Sequence, residues 1–209
     1  FQQRHMEKLV GNYGIGHVRY PTAGGAGKEF AQPMYVNSPY GISLAHNGNL
    51  TNSKELAVQL FHAEMRHLNT DSDSEVLLNI FAHELGKQRE IYPSADHIFK
   101  AVAKTHRRCD GAYAVLALIT GHGILAFRDN NGIRPLSIGI RKGAKRDEYI
   151  IASEDALFES QGFKKLRDVE PGEAVYIDKK GNFFSQQCAE APQKRPCIFE
   201  YVYFSRPDS

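Results

Sequence analysis

The sequence predicts a layered α+β fold with antiparallel sheets. Three amphipathic helical stretches lie together in the middle of the chain, between residues 52 and 108. Short apolar stretches of strand length flank this block on both sides, and Gly-rich turns of hairpin type join the later ones. Strands, then helices, then more strands point to segregated layers and not to an alternating parallel sheet.

Each helix has its own signals. The first is expected from Asn52 to His67, with Asn52 and Glu55 at capping-box spacing and Leu56, Leu60 and Ala63 along one face. The second opens at "SDSE", where Ser72 and Glu75 repeat that spacing. Val76, Leu77, Ile80 and Phe81 form its apolar stripe, and Gly86 sits just past its end. The third starts near Ser94, carries Ile98, Phe99, Val102 and Ala103, and fades in "HRRCDG", where basic residues suit a helix C-terminus.

Strands are expected at "YGIGHVRY" (13–20) and "GISLAHN" (41–47) before the helices. After them come "AYAVLALI" (112–119) and "GILAF" (123–127), joined by the turn "TGHG". "RPLSIGI", "EYIIAS", "EAVYID" and "NFFSQQ" follow, with turns at "NNG", "PG" and "KKG". "APQKRP" (191–196) is the linker candidate. It leads into "CIFEYVYFSRPDS", where Phe199, Tyr201 and Tyr203 alternate as in a strand bound for another domain.

Composition removes several functional classes. Net charge is +2 over 209 residues, so no polyanionic partner is implied, and the basic run "RKGAKR" reads as a solvated loop. The longest apolar run, "AYAVLALI", is too short to span a bilayer, and no signal-peptide core is visible. Cys109, Cys188 and Cys197 have no close pairing and fit reduced thiols of a cytoplasmic protein. The nine histidines form no cluster at ligand spacing, so no metal is expected in this chain. His17 and His46 end strands and read first as packed histidines. The chain opens on Phe1 and closes on "SRPDS", and both ends read as cuts from something longer.

Three stretches place polar residues where elements end. In "GHVRYPTAGGAG", Arg19 closes an apolar strand and opens a glycine-rich loop that can fold over a ligand. A guanidinium there can grip a carboxylate or a phosphate in bidentate fashion, or serve as a surface group. In "LAHNGNL", Asn47 and Gly48 supply a side-chain amide and an unencumbered backbone N–H, the makeup of an oxyanion hole. The same pair also suits a simple turn with an Asn cap. In "TDSDSE", Asp73 falls in the first helical turn, where the dipole favours a carboxylate by about 0.3–1 kcal/mol, and where it could also bind an ammonium.

The ordered series "GIGHVRYPTAG", "LAHNGNLTN", "TDSDSE", "GAYAVLAL", "AFRDNNGIRPLSIG", "ASEDAL", "RDVEPGEAVYI" and "FEYVYFSRPDS" resembles the amidophosphoribosyltransferases (glutamine phosphoribosylpyrophosphate amidotransferases) over nearly the whole chain. The resemblance implies a four-layer αββα sandwich of the N-terminal-nucleophile glutaminase type, here lacking its first strands. It implies a glutaminase domain over residues 1–190, with 191–209 a linker and first strand of a phosphoribosyltransferase domain. It implies transfer of ammonia from glutamine to phosphoribosylpyrophosphate, the first committed step of purine biosynthesis.

Carried over by position, Arg19 holds the glutamine α-carboxylate with Thr22 assisting, Asp73 holds the α-amino group, and Asn47 and Gly48 form the oxyanion hole. The nucleophilic cysteine expected at the mature N-terminus is not in this chain, so the polypeptide alone is expected to be inactive and to expose sheet edges. The resemblance also implies Mg2+ in the other domain, a homo-oligomer, and no nucleic-acid or membrane partner. Some members carry an iron–sulfur cluster, and Cys197 sits where one of its ligands can lie. The alternative is a non-catalytic glutamine-binding or assembly module.

Overall fold

A computed structural model of the chain describes residues 3–19 and 27–204. A short helix α1 (Gln3–Met6) precedes a segment without regular structure. Strands β1 (Met34–Val36) and β2 (Ile42–Leu50) lead into helices α2 (Ser53–Glu64), α3 (Asp73–Gly86) and α4 (Ala95–Arg108). Strands β3 (Gly111–Ile119), β4 (Gly123–Arg128), β5 (Ser137–Lys142), β6 (Asp147–Ala152), β7 (Lys164–Asp168), β8 (Glu173–Asp178) and β9 (Phe183–Gln187) follow. Six strands form one antiparallel sheet in the order β1-β2-β3-β4-β8-β9, and three form a second in the order β6-β5-β7.

The expected α+β sandwich is present, and strand periodicity explains its layering. Along β3, Tyr113, Val115, Ala117 and Ile119 belong to the core beneath the helices. Ala114 on the opposite face joins Ala126, Val175, Leu136, Ile138 and Val169 in a second core between the sheets. Helix α3 is buried on nearly every side, which fits its mostly apolar run from Val76 to Ala82, broken only by Asn79. Helix α4 is two-faced: Ile98, Phe99, Val102 and Thr105 are buried, while Lys100, Lys104 and Arg107 are exposed. On the small sheet, buried Phe158 packs against Gly139 of β5.

Cap chemistry is realised at α4. The Ser94 side chain accepts from the His97 N–H, and His97 reaches back to the Ser94 N–H. Ser94→Ala is expected to lower unfolding free energy by about 1 kcal/mol, read from urea denaturation; an unchanged midpoint would count against the cap. The other two boxes do not form. Asn52 instead joins α2 to the end of α4, donating to the Arg108 carbonyl at 2.8 Å and accepting from the Asp110 N–H at 3.0 Å. The Ser72 side chain accepts from the Ser74 N–H, while Glu75 turns to the Asn69 and Thr70 N–H groups.

Two strand expectations and one helix end are corrected. Among the described residues, 13–19 pair with nothing in either sheet, Val18 is 97% exposed, and Tyr20 lies outside the described residues: an alternating pattern makes a strand only where a partner strand offers its ladder. The tail from 200 to 204 winds into one π-helical turn and not a strand. Gly86 is the last residue of α3 and not the residue past it. Two strands, β1 and β7, carried no signal that marked them in advance.

Candidate active site

The Asn-Gly dipeptide does not end its strand. β2 continues through Asn47 and Gly48 to Leu50, in unbroken register with β3, with Asn47 opposite Ala114 and Gly48 opposite Tyr113. Gly48 has φ +146°, and a Cβ there would stand 1.9 Å from the Ala112 carbonyl oxygen. Only glycine lets the two backbones approach this closely. This is the reason a turn-type dipeptide sits inside a strand.

The N-terminus of α3 abuts this stretch. Asp73 Oδ2 accepts from the Leu50 N–H at 2.9 Å, and its Oδ1 takes no hydrogen bond from the described residues. Ser74 Oγ lies 3.1 Å from His46 Nδ1 and accepts from Gln32 Nε2 at 3.0 Å, while Gln32 Oε1 accepts from the His46 N–H at 2.7 Å. Strand, helix end and the loop before β1 are thereby tied together. His46 is 4% exposed, and burial holds its imidazole below its ordinary range although the Asp73 carboxylate pulls the other way. His46 is thus a packed histidine, as expected. His17 and Arg134 lie within electrostatic reach of the same ring.

Arg19 lies within electrostatic reach of His17. Its guanidinium carbon is 5.4 Å from the centre of the Phe30 ring, a cation–π distance. Burial lowers the His17 imidazole, and the Arg19 charge lowers it further. The structure therefore gathers Asn47, Gly48 and Asp73 around the end of β2, with the segment carrying Arg19 alongside. Thr22 lies outside the described residues.

The sequence reading left out Arg134 as a site residue. Its Nε and Nη2 donate to Asn47 Oδ1 at 3.1 and 2.5 Å, and its Nη1 pairs with Glu200. Asn47 Nδ2 is left with a long 3.4 Å contact to Ser153 Oγ. "GIRPL" stood in the sequence as a motif, but nothing local marked its arginine as the partner of an asparagine 87 residues away.

Among the described residues, Glu64, His83 and Glu84 bring ligand-type atoms within 4.8 Å of one another. Arg108 stands 2.7 Å from Glu64 and 2.8 Å from Glu84, and Lys87 lies 3.0 Å from Glu84, so the cluster reads as a helix crosslink. The cysteines are free, and burial pushes the Cys109 and Cys188 thiols up to about 12. No helix among the described residues is long and apolar enough to cross a membrane.

Residues 25–160 match the family model described as a glutamine amidotransferase domain. The chain belongs to that family. Glutamine amidotransferases similar to it include the amidophosphoribosyltransferases of Escherichia coli K12, 59% identical over 210 residues, and of Pseudomonas aeruginosa, 57% identical over 209. That of Saccharomyces cerevisiae is 48% identical over 215. Each match covers 100% of this chain, and the chain spans 42% of each of these relatives. The solved glutamine phosphoribosylpyrophosphate amidotransferase of B. subtilis, in complex with ADP and GMP, superposes with a TM-score of 0.72 at 35% identity. It covers 92% of this chain, which covers 38% of it. A solved structure described as the allosteric regulatory enzyme of purine biosynthesis gives a TM-score of 0.74 at 37% identity, with the same coverage.

Proposed function

We propose that this chain is the glutaminase part of an amidophosphoribosyltransferase. Glutamine would be hydrolysed to glutamate and ammonia. The ammonia would displace pyrophosphate from phosphoribosylpyrophosphate in a second domain, giving 5-phosphoribosylamine. The observation that carries this reading is the meeting of Asn47, Gly48 and Asp73 at the end of β2, in a chain that matches amidophosphoribosyltransferases from end to end.

The roles follow from charge and geometry. Asp73 Oδ1 is a carboxylate oxygen at a helix start and suits the substrate ammonium. Arg19 suits the α-carboxylate, with Thr22 beside it. Asn47 Nδ2 and the Gly48 N–H suit the oxyanion of the tetrahedral intermediate. Burial raises the Cys109 and Cys188 thiols to about 12, which does not suit either for the attacking thiolate of this reaction. The 209-residue polypeptide by itself is expected to release no ammonia from glutamine. Mg2+, a homo-oligomeric state and a cytoplasmic location accompany this reading of the whole protein.

The test is glutamine hydrolysis by the full-length protein, with and without phosphoribosylpyrophosphate, beside its Arg19→Ala form. Hydrolysis is expected, rising with phosphoribosylpyrophosphate. Arg19→Ala is expected to raise KM for glutamine about 10- to 100-fold, the worth of a charge-assisted contact. A full-length protein that hydrolyses no glutamine under either condition would leave a binding module and end the enzyme reading.

A further inference from the structure

Arg134 sits on a rigid turn. Asp129, buried at 1% exposure, accepts from the Tyr113, Asn131 and Ile133 N–H groups. Arg128 reaches back into the same turn, donating to the Arg134, Gly132 and Val169 carbonyls at 2.6, 2.7 and 2.8 Å. The segment after β9 docks along this turn. The Gln193 N–H donates to the Asn130 carbonyl at 3.0 Å, and the Arg195 N–H to the Asn131 carbonyl at 2.8 Å. Farther on, Glu200 is only 5% exposed and pairs with Arg134.

The guanidinium decides which way the Asn47 amide faces. Arginine has five donors and no acceptor, so only the carbonyl end of a carboxamide can meet it. With Oδ1 held by two N–H groups, Nδ2 must face away from Arg134. Its contact to Ser153 Oγ is long at 3.4 Å, so little is given up when that N–H turns to a developing oxyanion. A flipped amide would aim Oδ1 at the oxyanion and repel it.

On the glutaminase reading above, we propose that Arg134 is a positioning residue that holds Asn47 in its donor orientation, and that Glu200 holds Arg134. The placement of the segment 193–204 is then felt at the oxyanion site through two side chains. Any movement that pulls Glu200 from Arg134 loosens the Asn47 donor.

The experiment compares glutamine hydrolysis by the full-length protein with its Arg134→Leu, Arg134→Lys, Glu200→Gln, Asn47→Ala and Asn47→Ala/Arg134→Leu forms. Arg134→Leu is expected to lower kcat about 10- to 100-fold, below the about 10²–10³-fold loss of a deleted oxyanion donor, with KM nearly unchanged. Arg134→Lys and Glu200→Gln are expected to show smaller losses in the same parameter. In the double form, Arg134→Leu is expected to add almost nothing to Asn47→Ala, because the group it positions is gone.

Unchanged kcat in both Arg134→Leu and Glu200→Gln overturns the proposal. So does a loss expressed in KM, which would put Arg134 on the substrate, or full additivity with Asn47→Ala. If Arg134→Leu does not fold, Arg134→Lys and Glu200→Gln decide alone by the same kcat criterion. A wild-type protein without hydrolysis defeats the glutaminase reading itself, which separates that failure from this one.

Discussion

Gly48→Ala is expected to destabilise the protein by on the order of 3 kcal/mol and to remove glutamine hydrolysis by at least about 10³-fold in the full-length enzyme. The added Cβ would lie 1.9 Å from the Ala112 carbonyl oxygen and 2.7 Å from its carbon, and it would meet His46 Nε2 at 3.0 Å. The first two are backbone atoms of β3, so no rotamer change relieves the contact. φ of +146° adds strain for any residue with a side chain. Either β2 withdraws from β3 or the local register shifts, and both movements carry Asn47 and the Leu50 N–H that anchors Asp73. Urea denaturation and a glutaminase assay on one preparation measure the two effects. A variant with the wild-type midpoint would show that the strands can part here without cost.

Arg108→Met is expected to cost about 3–5 kcal/mol at neutral pH. Arg108 of α4 reaches Glu64 of α2 at 2.7 Å and Glu84 of α3 at 2.8 Å, so one guanidinium pins three helices. Both carboxylates are largely buried, and taking away their shared cation leaves their desolvation poorly compensated. Burial works to raise the Glu84 carboxyl, but its hydrogen bonds from Lys87 and Arg108 outweigh that, and the net direction is down.

In the wild type this contribution is present above the unfolded carboxyl pKa and is lost as pH falls through the lower folded value. In the variant burial gains weight, and the Glu84 carboxylate protonates more readily. The gap between the two proteins should therefore be widest near pH 7 and narrow toward about pH 4. Urea midpoints at both pH values test this, and a gap that widens on acidification would contradict it.

The helices were legible because their signals are local. The apolar stripe of α4 repeats within one element, whereas the cap that forms there, Ser94 with His97, went unread. The strands buried on both faces were legible for the same reason: β3 is apolar from Tyr113 to Ile119. β7, "KKLRD", was silent because it is an edge strand of the small sheet with Lys164, Lys165 and Leu166 exposed, so no periodicity marks it. β1 has three residues, too few to set a period. The 13–20 stretch misled because alternation describes a side-chain pattern and says nothing of whether a partner strand is at hand.

The site divides along the same line. Asn47, Gly48 and Asp73 were named from residue type and position within an element. That the glycine serves close strand approach, with its dipeptide embedded in a ladder, follows only from the β2–β3 register. By itself the sequence determined the three central helices, the strands from β2 to β9 other than β7, and the donor and carboxylate chemistry at the end of β2. Only the tertiary structure decided which polar groups meet. Arg134 lies 87 residues from Asn47 and 66 from Glu200, and Gln32 lies 42 from Ser74. Such pairs depend on how sheets stack and strands register. A local pattern sets which way a side chain faces, and the packing of distant elements sets what it faces.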